Sequence, residues 1–157
     1  MDLIALAPSK EPVFLQLHHP VTQQPLFLQM PDPKHVQSEK GEYNGPMVDN
    51  PDEPIGLYVV GSDSEEFAAR ERWLVDQRIK RAEAVQQGKK IDLKAETLAE
   101  ESTNTLVACI KGFRNIELNG RKLKTLPDDA RLLLTTLKWV RDYLDREIVN
   151  RANFIKA

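Results

Sequence analysis

The chain is short of nearly everything that marks a chemical site. It has one cysteine, Cys109, so no internal disulfide can form, and only three histidines. His18 and His19 are adjacent and His35 is distant, so none sits at the i, i+4 spacing of a helical zinc pair. No Cys-x-x-Cys or His-Glu-x-x-His accompanies them. No Gly-x-Ser-x-Gly elbow, Gly-x-Gly-x-x-Gly turn or Gly-Lys-Thr phosphate loop is present, which removes the usual signatures of hydrolases and nucleotide-binding proteins. Charge of one sign is also missing: the formal net charge is −2, so no broad positive field attracts nucleic acid. No uncharged apolar run approaches the roughly 18 residues of a membrane span. The amino terminus Met1-Asp2-Leu3-Ile4 lacks the basic and apolar regions of a secretory signal. These absences point to a non-enzyme of the cytoplasm with no cofactor, no metal, no nucleic acid and no membrane among its partners.

What is present is a foldable domain. The 157 residues are 41% hydrophobic and 29% charged, enough for one core without crosslinks, and a mean hydropathy of −0.47 implies generous solvated surface. The pattern predicts an α+β single domain over residues 1–157. A strand-rich start (1–61) with a small antiparallel sheet precedes a mainly helical part (62–157). Val13-Phe14-Leu15-Gln16-Leu17 and Leu26-Phe27-Leu28-Gln29-Met30 flank a turn-like His19 to Pro25 and read as a hairpin. Pro31 to Pro54 gathers five prolines with glycines and acids, which predicts a mobile loop outside the core. Ile55-Gly56-Leu57-Tyr58-Val59-Val60 reads as a third strand.

Ser62-Asp63-Ser64-Glu65 has the form of a capping box and predicts a helix start. The helix behind it has an apolar stripe of Phe67, Ala68, Leu74, Val75, Ile79, Ala82 and Val85, ending at Gly88. Trp73 falls outside that stripe, near Ala69 and Ala84. A second helix is expected from about Ala95 to Lys111, with Leu98, Thr105, Leu106, Cys109, Ile110 and Phe113 inward. Asn119-Gly120 between short apolar segments is the strongest hairpin signal in the chain. Pro127-Asp128-Asp129 opens a last helical region running to about Asn153, with a break near Thr135-Thr136. There Leu137, Trp139, Val140, Tyr143, Leu144, Ile148 and Phe154 cover about half of the helical wheel, more than a one-sided surface helix requires.

Each chemical candidate has a simpler explanation. Cys109 lies among Leu106, Ala108 and Ile110 and is read as packing. Asp128-Asp129 and Glu100-Glu101 suit capping and solvation, and the basic groups at Lys89-Lys90 and Arg121, Lys122 and Lys124 suit loops. What remains is hydrophobic recognition through aromatic anchors, and Trp73, Trp139, Tyr143 and Phe154 are the candidate partner-binding residues. Burial within the protein's own core is the competing reading for each.

The order of these motifs resembles the small tail assembly chaperones of long-tailed bacteriophages. The likeness runs from Pro54-Ile55-Gly56-Leu57-Tyr58-Val59, through Gly61-Ser62-Asp63-Ser64 and the charged helix Phe67 to Ala82, to Leu106-Val107-Ala108-Cys109. Phe113, Ile116-Glu117-Leu118-Asn119-Gly120, Trp139 and the closing Arg151-Ala152-Asn153-Phe154 continue it. The chain departs from the family where Phe113 stands in place of tryptophan and where Pro31 to Glu53 is an insertion. The resemblance implies a non-catalytic chaperone of virion morphogenesis, acting in the host cytoplasm and absent from the finished particle. It would bind the long helical tape measure protein, with tail tube protein as a further partner; self-association is a separate option that the helical pattern leaves open. The alternative expectation is a small structural tail or neck protein retained in the virion.

Overall fold

The computed structural model describes residues 2–35, 45–90 and 95–155. In chain order the elements are β1 (Val13–Gln16), β2 (Phe27–Pro31), β3 (Met47–Pro54), β4 (Gly56–Val59), α1 (Glu65–Gln86) and α2 (Ala95–Cys109). They continue with β5 (Ile110–Arg114), β6 (Glu117–Leu118), β7 (Arg121–Lys122), α3 (Asp128–Thr136) and α4 (Lys138–Ile148). The layout is α+β, with antiparallel sheets early in the chain followed by a helical region.

The principal sheet has the order β1-β4-β5, all antiparallel. Alternation assigns its faces: Leu15, Leu57 and Val59 are buried against the helices, while Phe14 and Tyr58 pair on the opposite face with ring centroids 5.3 Å apart. Gly56 is required in the central strand, because a Cβ there would lie 2.3 Å from the Leu15 carbonyl oxygen and 2.6 Å from the Phe14 ring.

The sequence-based hairpin is only partly correct. The Leu26 N–H donates to the Leu17 carbonyl at 2.9 Å and His18 bridges Pro25, but beyond that turn the two segments separate. β1 joins β4, and β2 joins β3 in a second, two-stranded sheet. Burial decides the outcome: pairing with β4 places Leu15 beside Leu57 in the core, a gain that local proximity to β2 does not offer. The loop expected over Pro31 to Pro54 also needs correction, since Met47–Pro54 is an eight-residue strand. Its prolines are tolerated because each strand of a two-stranded ribbon has a free edge, where a missing N–H breaks no ladder. Residues 36–44 of that loop lie outside the described residues.

The helix start at 62–65 is present, but Ser64 is the cap: its Oγ accepts from the Phe67 N–H at 3.2 Å, while Asp63 pairs with Arg151 at 2.7 Å. α2 ends at Cys109, two residues short of expectation, and runs directly into β5. Ile110 and Phe113 therefore face inward from a strand: β4 offers them a ladder, and Val59 pairs with Ile110. The Asn119-Gly120 hairpin forms as expected, with φ of 52° and 77° at its two turn residues. The break in the last helical region falls at Leu137, whose extended backbone separates α3 from α4. One core unites the layers, with Leu133, Leu134, Val140, Leu144 and Ile148 meeting Leu57, Val59, Leu106 and Cys109.

Candidate functional site

The four aromatic candidates have different environments. Phe154 belongs to the core: it is 4% exposed, and its ring lies so close over Gly61 that a Cβ there would come within 2.7 Å of it. It cannot serve as an exposed anchor, which corrects the expectation that Phe154 is a partner-binding residue. Tyr143 is partly buried. Its hydroxyl donates to the Gln16 carbonyl at 2.8 Å, tying α4 to β1, and its ring lies 5.9 Å from that of His18. Burial first, then the nearby Glu147, push its phenol above the ordinary range, against the opposing effect of Arg146.

Trp139 marks a surface with a largely apolar lining. It borders a groove of about 300 Å³ whose walls include Leu26, Leu28, Ile55, Leu118 and Leu137. On its other side Trp139 shares a recess of about 170 Å³ with Pro20, Asp142, Tyr143 and Arg146. The structure therefore brings Trp139 and Tyr143 together. Trp73 stands apart on α1, 42% exposed, with the Arg70 guanidinium 4.5 Å over its ring. Nε and Nη2 of Arg70 are buried without a hydrogen-bond partner, so the stacked ring is the contact this arginine makes there.

The walls of the groove are positioned by polar side chains. Asn115, held at φ 60°, donates through Nδ2 to Glu53 at 2.8 Å and to the Pro54 carbonyl at 3.1 Å, fixing the corner between β5 and β6. The β6–β7 hairpin, which supplies Leu118, is pinned to α3 by Asp129. That carboxylate is 4% exposed and accepts from Arg121 Nη1 and Nη2 at 3.2 and 2.8 Å and from the backbone N–H groups of Lys124 and Thr125, both at 2.9 Å. The Arg121 guanidinium, followed by the two backbone amides, holds the Asp129 carboxyl far below the usual carboxylate range.

What this surface offers is shape and apolar area. Among the described residues no group of three or more metal-ligating side chains converges, and no helix is long and apolar enough to cross a membrane. Burial pushes the Cys109 thiol up to about 12, with Glu66 adding to the effect, so it is protonated at neutral pH and a poor nucleophile. Sequence reading had not assigned Leu26, Leu28 and Leu118 to the site. Leu28 carried a signal, as a large apolar residue whose strand-mates Phe27 and Gln29 point the other way, but the groove exists only because four distant segments meet there. No protein-family model matches the chain, nor does any curated protein or solved structure.

Proposed function

We propose that this chain is a non-catalytic tail assembly chaperone of a long-tailed bacteriophage, acting in the host cytoplasm to bind the tape measure protein and keep it soluble during tail morphogenesis. The apolar groove beside Trp139 carries the proposal, because it is a concave, aromatic-rimmed surface of the kind that receives apolar side chains of a helix. A tape measure protein presents long apolar helical stripes before the tube encloses it, and such stripes aggregate unless covered. Trp139 is the principal anchor, Tyr143 supports it from the adjoining recess, and Trp73 offers a second contact on α1. The order of motifs that resembles the tail assembly chaperones favours the same reading. Tail tube protein would displace the chaperone as it polymerises.

Co-expression with the tape measure protein of the same genome tests this. A soluble complex that co-purifies supports the reading, and Trp139→Ala should reduce its recovery. A partner that aggregates with no complex recovered would sink it. The second reading, a small tail or neck protein retained in the virion, draws on α1. Val75, Ile79 and Val85 on that helix are 47%, 52% and 61% exposed, apolar area that stacking against another subunit would cover. Fixed stoichiometry in purified particles selects that reading over the chaperone.

A further inference from the structure

On the other side of the α3–α4 pair, facing α2, lies a groove of about 370 Å³ with a different character. Its apolar surface comes from the exposed Ala99, the methyl groups of Thr103 and Thr135 and the aliphatic stems of its charged residues, with the buried Leu134 beneath, and Asn104 adds an amide. Three cations line it, Arg131, Lys138 and Arg141, against one carboxylate, Glu100. The chain as a whole has a slight excess of acid, so three cations to one acid is a local concentration of charge.

These cations are weakly neutralised. Arg131 Nε donates to Asn104 Oδ1 at 3.3 Å, which fixes the guanidinium without cancelling its charge, and its nearest carboxylate oxygen is that of Asp128 at 3.9 Å. Among the described residues the carboxylate Arg141 meets is that of the neighbouring Asp142, at 3.7 Å. Among the described residues Lys138 and Glu100 form no ion pair. The contrast is Arg121 with Asp129, where the same chemistry closes to 2.8 Å with two parallel hydrogen bonds. Cations held open beside methyl and methylene groups suit a ligand with an apolar body and an oxyanion.

We propose that the α2–α3–α4 groove binds a carboxylate or phosphate carried on an apolar stem. The oxyanion engages Arg131, Lys138 and Arg141, and the stem lies against Ala99 and the Thr135 methyl group. The volume exceeds what a bare inorganic anion fills, which is why an apolar body belongs to the ligand class. The site does not depend on the chaperone reading, since the groove at Trp139 shares none of its lining residues.

Titration of the isotopically labelled full chain at low salt, followed by amide NMR, tests the proposal with two probes: phenyl phosphate and a short peptide of alternating leucine and glutamate. Saturable shifts confined to Thr103, Asn104, Thr135 and Lys138 are expected with at least one probe. Phenyl phosphate alone would identify a small-molecule source, and the peptide alone an acidic protein segment. Added salt should weaken either. The double variant Lys138→Gln, Arg141→Gln should bind about tenfold more weakly or worse, the size expected for losing one charge-assisted hydrogen bond. Lys89→Gln, remote from the groove, should bind normally. Both altered side chains in the double variant are polar surface groups, and an unchanged far-UV spectrum verifies its fold. Absence of saturable shifts with both probes would overturn the proposal, as would equal affinity of the double variant and Lys89→Gln.

Discussion

Asp129 and Phe154 show how much a single position can carry. The Asp129 carboxyl titrates far lower folded than its ordinary value of about 3.9, so its contribution to stability is fully present above that value and is lost as pH falls below it towards the folded pKa. Asp129→Asn should therefore unfold at lower urea than the parent at pH 7, and the gap between the two midpoints should narrow from about pH 4 downward. A gap independent of pH would mean that the carboxylate's charge is not what holds the hairpin. Truncating Phe154 removes a core ring, and Phe154→Ala should cost about 3–5 kcal/mol in chemical denaturation. Trp73→Ala, on a half-exposed ring, should cost under about 1 kcal/mol. Comparable losses would mean that Trp73 is part of the core. The sequence identified both aromatics as notable but could not separate them, because exposure depends on what packs opposite.

Elements formed by local rules were legible in the sequence, and those formed by competition were not. The Asn119-Gly120 hairpin is local: both residues adopt positive φ, which this dipeptide tolerates best. Gly120→Val should lose about 1–2 kcal/mol, the cost of forcing a branched side chain into the left-handed region, measurable as a lowered denaturation midpoint. Open space around that glycine means a clash would not be the cause. The start of α1 and the break after α3 were likewise readable to within two residues, although the cap is Ser64 rather than the Ser62 of a Ser62–Glu65 box. The pairing of β1 was not, since an apolar strand accepts several partners and the one chosen is that which buries Leu15 and Leu17. β3 was missed because its prolines argue against a strand, and only the free edge of a two-stranded ribbon admits them.

Across the whole molecule, burial is uneven. α3 and α4 contribute Leu133, Leu134, Val140, Leu144 and Ile148 to the core, whereas none of the 22 residues of α1 is buried. Hydrogen exchange should accordingly release the α1 amides well before those of α3 and α4, and uniform protection would contradict this gradient. The apolar stripe expected on α1 is split by the same asymmetry: Phe67 and Leu74 are partly covered, while Val75 and Ile79 face outward. Periodicity measures a helix's own pattern, and a 22-residue helix resting mainly on a 15-residue neighbour cannot bury all of it. By itself the sequence determined the α+β class, the presence and approximate starts of the helices, the Asn-Gly turn and the lack of catalytic motifs, because each of these rests on residues within a few positions of one another. Only the tertiary structure decided which strands pair, that Phe154 is core, and that Leu26, Leu118 and Trp139 form one groove, because those outcomes follow from competition for burial among segments far apart in the chain.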